Sequence, residues 1–473
     1  MKTENKKNNI PESWTMRRLG DVATINPTES LKKGKVTKYV AMENIEPFTR
    51  RISNFELKEF NGGMKFRNGD TLFARITPCL ENGKTSFVDI LENDEIAFGS
   101  TEFIVLREKG NLSDKKFLYY LSLSPNLRDI AIRLMTGSSG RQRVQTNLFI
   151  NEHFIIPPLN EQREIASVLS SFDDKIELLR EQNKTLEAIA QAIYKRWFVD
   201  FEFPIEDETS KLPSLKGGEP EGRGGFDNTL QLKGYKSSGG KMVKSELGEI
   251  PEGWKVIKIN ELFDFIKGVE PGSANYFKYK ISDYYIPFYR VQNISDNSNV
   301  PNVFIEKSLS NNKLFDKKDI LVSLDGTIGK VFIGGQGSYS SGIRKVISKN
   351  NVIGQCLIYC FLKSDYFQNG LILFSSGETT IKHAGKTLEN LQIVYKHDIF
   401  EQFTKNTNSI FEKMIINLQQ IQTLSDLRDS LLPKLMSGKI RVPVKNEAET
   451  TLSDGARHSS LTEEGPKSEN PQT

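Results

Sequence analysis

The chain has 473 residues, more than one ordinary core uses, which predicts at least two globular units. With 64 basic and 60 acidic residues the net charge is only +4, so nucleic-acid binding would have to come from local patches. Three cysteines exclude a disulfide framework, and MKTENKKNNI lacks a signal-peptide core. No run of about 18 apolar residues is available for a membrane span, so the expectation is a cytoplasmic protein with reduced thiols and no membrane partner.

From the N-terminus, PESW (Pro11 to Trp14) precedes an alternating segment that reads as a first strand. MENI at Met42 follows, then FRNGDTLFA at Phe66, a turn carrying an Asp and then a strand. FLYYL at Phe117 reads as a helix, and SSG at Ser138 as a turn. EQ at Glu161 opens a long helix whose apolar face runs through Ile165, Val168, Phe172, Ile176, Leu179, Leu186, Ile189, Ile193 and Trp197. Phe203 to Leu247, rich in Gly, Pro, Ser and charge, reads as a linker.

The same order then returns with a period of roughly 240 residues, far longer than a solenoid unit. PEGW stands at Pro251, VQNI at Val291, FDKKDILVS at Phe315, LIYCF at Leu357, SSG at Ser375 and EQ at Glu401. A second helical face follows through Phe403, Ile410, Met414, Ile421, Leu424, Leu431 and Leu435, interrupted by Thr407, Asn417 and Arg428. Helices of roughly 36 residues would reach ~54 Å, longer than one domain needs, so they are expected to pack on each other as a coiled coil, the alternative being that each packs on its own domain as an ordinary amphipathic helix. Asn417, with Asn183, would set the register, Pro433 would end or kink the second helix, and Gly438 would stop it. The fold class is therefore mixed α/β (α+β), two similar domains alternating with two long helices. Expected boundaries are 1–158 (first domain), 159–200 (helix), 201–250 (linker), 251–398 (second domain), 399–438 (helix) and 439–473 (disordered tail).

Catalytic motifs are not found. GKT at Gly83 and Gly385 lacks the preceding phosphate-loop glycine, those positions being Pro78 and Thr380. GGQG at Gly334 reads as a turn between strands. His153, His383, His397 and His458 are scattered, and Cys79, Cys356 and Cys360 lack metal spacing. What remains are loops mixing basic, polar and Gly residues at matching places in both halves. RITPCLENGKT (from Arg75) is matched by LDGTIGK (from Leu324), and SSGRQRVQTN (from Ser138) by SSGETTIKHAGKT (from Ser375). Arg suits guanine edges, Asn and Gln suit adenine, and Lys and Thr suit phosphates. The candidate DNA-binding set is Arg75, Thr77, Asn82, Lys84, Arg141, Gln142 and Arg143 in the first half. In the second it is Thr327, Lys330, Arg344, Thr379, Lys382 and Lys386. Any one of these is as readily a solvated loop residue; it is the recurrence of whole loops that points to binding.

GDTLFARITPCLENGK from Gly69, FGSTEF from Phe98, SSGRQRV from Ser138 and PPLNEQREIASVLSSFDDKIELL from Pro157 resemble the specificity subunit of type I restriction–modification systems. So do YKRWFVDFEFP from Tyr194, YKSSGGKMVKSELGEIPEGW from Tyr235 and LLPKLMSGKI from Leu431, the likeness running from about Pro11 to Val442. The resemblance implies two target-recognition domains reading a split double-stranded DNA sequence, held apart by antiparallel helices with pseudo-twofold symmetry. It also implies two adenine-specific methyltransferase subunits docked on the helices and two nuclease–translocase subunits joining for restriction. The chain itself would be non-catalytic and without a cofactor, S-adenosylmethionine, ATP and Mg belonging to those partners. LDGTIGK departs from the RITPCLENGK form, which implies half-sites of different sequence. The insertion LPSLKGGEPEGRGGFDN has no counterpart in the family pattern. The competing class is a coiled-coil protein scaffold that does not read DNA.

Overall fold

In each half a short opening strand closes on the last strand before the long helix. Thr15–Arg18 pairs antiparallel with His153–Ile156, and Lys255–Lys258 pairs with Gln392–Tyr395. The computed structural model describes residues 11–205, 234–295, 301, 303–374, 382–383, 388 and 391–443. The chain forms two compact units, Met1–Glu177 with Thr423–Thr473, and Leu178–Gln422.

In the first unit one sheet runs Ala23–Ile25, Phe103–Glu108, Thr71–Ala74, Thr85–Phe87. Thr71–Ala74 is buried along its whole length, as its continuous apolar run requires of a central strand. A second sheet runs Glu56–Glu59, Val36–Val40, Ala97–Gly99, Met64–Phe66, with one parallel step between Val36–Val40 and Ala97–Gly99. Helix Lys115–Leu123 starts where the Asp114 carboxylate accepts from the Lys116 and Phe117 amides. It buries Phe117, Tyr119 and Tyr120, and burial of the Phe117 ring contributes roughly 1.5–3 kcal/mol. Ser124 then caps Pro125–Arg133.

The second unit repeats this plan strand for strand. Phe263–Lys267, Ile343–Ser348, Ile320–Ser323 and Val331–Phe332 form one sheet. Phe304–Glu306, Tyr285–Tyr289, Gly337–Tyr339 and Leu314–Phe315 form the other, again with one parallel step. Helices Gln355–Lys363 and Asp365–Phe374 match the first unit's pair.

The long helices are Leu159–Phe198 and His397–Met436, each of 40 residues. Their bounds lie within two residues of the expected 159–200 and 399–438, and each unit's core takes part of both helices. Ile165, Ala166 and Leu169 share the first core with Leu432, Leu435 and Met436. Ala190, Tyr194, Trp197 and Phe198 share the second with Phe400, Phe403 and Phe411. Within each unit the two segments run antiparallel. Asp173 meets Arg428 in the first, and the Asn417 Nδ2 donates to Asn183 Oδ1 at 2.9 Å in the second, the register-setting pair expected from sequence.

Three sequence expectations are corrected. The recurring EQ does not align the helices. Leu159 corresponds to His397, so Glu161 corresponds to Ile399, and Glu401 is a half-exposed partner of Lys405. Of the end or kink expected at Pro433, the end does not occur, since the second helix continues to Met436, where Leu432, Leu435 and Met436 are buried; Gly438, at φ +71°, follows its end as expected. The expected 201–250 linker is folded at both ends. Phe203 stacks on Tyr235 at 4.8 Å and packs on Trp254, and Met242–Ser245 forms a hairpin with Gly248–Pro251. Aromatic burial outweighs the Gly-rich composition there. Residues 206–233 and the tail beyond 443 lie outside the described residues.

Candidate nucleic-acid interface

The loops singled out by composition meet in both units. In the first, Ile76 bridges to Arg143, the Val144 amide donates to the Arg75 carbonyl at 2.9 Å, and the Thr77 amide donates to the Gln142 carbonyl at 3.0 Å. The hairpin of Met135–Thr136 and Arg143–Val144 carries the 137–142 loop. In the second, Asp325 pairs with His383 and Gly326 with Lys382 across the equivalent place.

The chemistry differs sharply between them. Arg143 forks onto Glu102, Nε to both oxygens at 3.0 Å and Nη2 to Oε1 at 2.6 Å, while Arg75 Nε reaches the same carboxylate at 3.3 Å. Hydrogen bonds from Arg143 hold the Glu102 carboxyl below the usual range, against the opposing pull of partial burial. This carboxylate stands between two candidate arginines and was not picked out by sequence reasoning, although it lies in FGSTEF. The sheet register puts Ala74 opposite Phe103 and Ser323 opposite Ile343, so Arg75 corresponds to Leu324 and Glu102 to Gly342. The second unit therefore has no such triad. A side chain at Gly342 would run into Val291, its Cβ falling 2.9 Å from that residue's side chain.

Of the other candidates, Arg141 is exposed with no side-chain partner among the described residues, Gln142 is half-buried, and Asn82 is exposed. Lys84 is committed locally, donating to the Met42 carbonyl at 2.9 Å. The loop from Arg75 is anchored by Arg128, which donates to the Leu80 and Glu81 carbonyls at 3.1 Å and lies over Phe48 at 4.7 Å. Burial pushes the Arg128 guanidinium below its ordinary value. Phe48 also lies against Gly83, where φ is +79° and any Cβ would fall 2.4 Å from the ring.

In the second unit Thr327 and Lys330 are exposed. Arg344 is turned inward, with Nη1 donating to the Ser341 and Ile343 carbonyls at 2.6 and 3.1 Å. Burial lowers its pKa against the pull of Asp325, so Arg344 reads as a structural arginine. The Lys382 backbone pairs with Gly326, and Thr379 and Lys386 lie outside the described residues. Among the described residues no group of three or more His, Cys, Asp or Glu could hold a metal ion, and no helix is long and apolar enough to cross a membrane.

Two copies of one domain, each raising a paired loop cluster from the same strands and joined by long paired helices, define a duplicated binding architecture. The family of type I restriction modification DNA specificity domains matches residues 11–188 and 251–395, and the chain belongs to it. It is 28% identical to the HindI specificity subunit of Haemophilus influenzae over 82% of this chain and 90% of that one. It is 25% identical to the MjaIX specificity subunit of Methanocaldococcus jannaschii over 92% of this chain and 95% of that one. A crystal structure of a type I restriction–modification S subunit from M. genitalium aligns with a TM-score of 0.48 at 17% identity, over 92% of this chain and 98% of that chain.

Proposed function

We propose that this chain is the DNA-reading, non-catalytic subunit of a cytoplasmic type I restriction–modification complex that modifies adenine. Each domain reads one half of a bipartite duplex target, and the long helices set the unread spacer and carry two methyltransferase subunits. Two restriction–translocase subunits join that core, and S-adenosylmethionine, ATP and Mg are bound by the partners. The observation that carries the reading is one strand register presenting two different loop chemistries. Arg75 and Glu102, joined to Arg143 in one unit, give way to Leu324 and Gly342 in the other, where Asp325 and His383 are neighbours in the backbone ladder. A pure scaffold has no use for different chemistries raised on matching loops.

The test is to purify the chain with a methyltransferase partner and compare binding to duplexes with and without the methylated target. Sequence-dependent binding by the complex, with no methyl transfer by the chain alone, is the expected result. A complex that binds and methylates all duplexes alike would overturn the proposal.

A further inference from the structure

The facing positions of the two long helices are not interchangeable, although the repeat makes them equivalent. In the first unit Arg428 Nη1 donates to Asp173 Oδ1 at 2.6 Å, and the Tyr120 hydroxyl donates to Asp173 Oδ2 at 2.6 Å. Both charged side chains are buried, at 3% and 7% exposure. In the same unit Glu161, 2% exposed, accepts from Trp14 Nε1 at 3.0 Å and from Arg441 Nη2 at 2.9 Å. In the second unit Asn183 pairs with Asn417.

The equivalents of all these residues are apolar. Counting from Leu159 and His397, Asp173 corresponds to Phe411, Arg428 to Ala190, Asn183 to Ile421 and Asn417 to Leu179, every one of them buried. Tyr120 corresponds to buried Cys360. The Glu202 amide donates to the Arg196 carbonyl as the Ile440 amide does to that of Lys434, so Phe203 follows its helix as Arg441 follows its own. Phe203 packs on Trp254 at 5.4 Å, and Ile399 stands where Glu161 would be. Each polar pair thus takes one member from the first-half helix segment and one from the second.

Two first-half helices paired in this register would set Asp173 against Ala190, Asn183 against Leu179 and Glu161 against Phe203. Two second-half helices would set Arg428 against Phe411, Asn417 against Ile421 and Arg441 against Ile399. The first pairing buries the Glu161 and Asp173 carboxylates with no cation opposite, and the second leaves buried Arg428 only its exposed neighbour Asp429, whereas first with second gives each buried charge an opposite charge across the helices. We infer that the helix face bearing Glu161, Asp173 and Asn183 is a recognition surface for the second half of this protein, in the same chain or in another copy, and rejects a copy of itself. Breaking one buried ion pair is enough for a preference of roughly a hundredfold or more.

The test uses full-length chains with two affinity tags. One carries Tyr120→Cys with Asp173→Phe, copying Cys360 and Phe411; the other carries Arg428→Ala, copying Ala190. Alone, each removes the opposite charge that a buried group faces across the helices, leaving Arg428 only Asp429 or Asp173 only the Tyr120 hydroxyl, and should unfold at a lower temperature than the parent. Combined in one chain the three substitutions should restore a stable one-chain protein. Co-expressed as separate chains, the two variants should exchange halves into a two-chain species carrying both tags. One helix pair of that species sets the two substituted positions against each other, and the other keeps Asp173 facing Arg428. Asn183→Ile and Asn417→Leu, run in parallel, give the same comparison where apolar replacement is well tolerated in coiled coils. Single-half variants as stable as the parent at both sites would overturn the inference. So would a restored combined variant whose separate halves never form the two-tag species. The readout is assembly rather than methylation, so it stands or falls independently of the DNA-reading proposal.

Discussion

At the residue scale, the arginines of the 138–144 loop divide into two roles that composition could not separate. Arg143 is locked to Glu102, whereas Arg141 is exposed and unpaired among the described residues. Arg141→Ala should leave thermal stability unchanged while weakening DNA binding. A bidentate base contact would cost ~1–3 kcal/mol and relax one target position. A phosphate contact would weaken all sequences and reduce the salt slope by about one. Unchanged affinity, target and salt slope would remove Arg141 from the interface. Arg143→Ala should also loosen the loop, visible as faster amide exchange at Arg75 and Val144. Because the folded pKa of Glu102 is depressed, its contribution is complete above the ordinary carboxylate value and is lost as pH falls through the lowered one. Loop protection should therefore be flat across neutral pH and fall only under acid, and Glu102→Gln should abolish that acid step. Arg75 and Arg143 were legible as cations, but the carboxylate they share lies far from either in sequence. Only the strand register brings the three together.

At the scale of elements, the long helices were legible because large apolar residues recur in one helical register from end to end, with Thr407, Asn417 and Arg428 as polar interruptions in the second. Their alignment was not, since EQ recurs two positions away from the true correspondence. The buried face, with Ile165 matching Phe403 and Leu169 matching Thr407, fixes it instead. The folded ends of the linker were hidden for the opposite reason: local Gly and Pro content masks Phe203, Tyr235 and Trp254, whose contacts are non-local. On the proposed reading, helix length sets the spacer of the DNA target. Four residues added near Thr185 supply ~6 Å of rise and keep the apolar face. Because Asn183 pairs with Asn417, the insertion must be matched by four residues near Ile415. Methylation mapping should then show a spacer longer by about one or two base pairs at ~3.4 Å each. Two-residue insertions should rotate the face by roughly 200° and destabilise the protein. An unchanged spacer in a stable, active four-residue variant would contradict the ruler.

At the scale of the whole molecule, the duplication was plain in sequence because strands, helices and turns recur in one order. Both sheets of each unit confirm it in the same strand order. Two differences between the halves bear on function, the paired loops and the polar positions of the long helices. The first gives each domain its own chemistry, and the second makes the two halves complementary instead of identical. The central claim, that the two domains read DNA independently, is tested most directly by replacing Pro11–Pro157 with the matching domain of a relative. The hybrid is expressed with its methyltransferase partner, and methylated adenines are mapped across the genome. One half-site should change, while the other half-site and the spacer stay as they were. Changes in both half-sites, or in neither, would contradict the account.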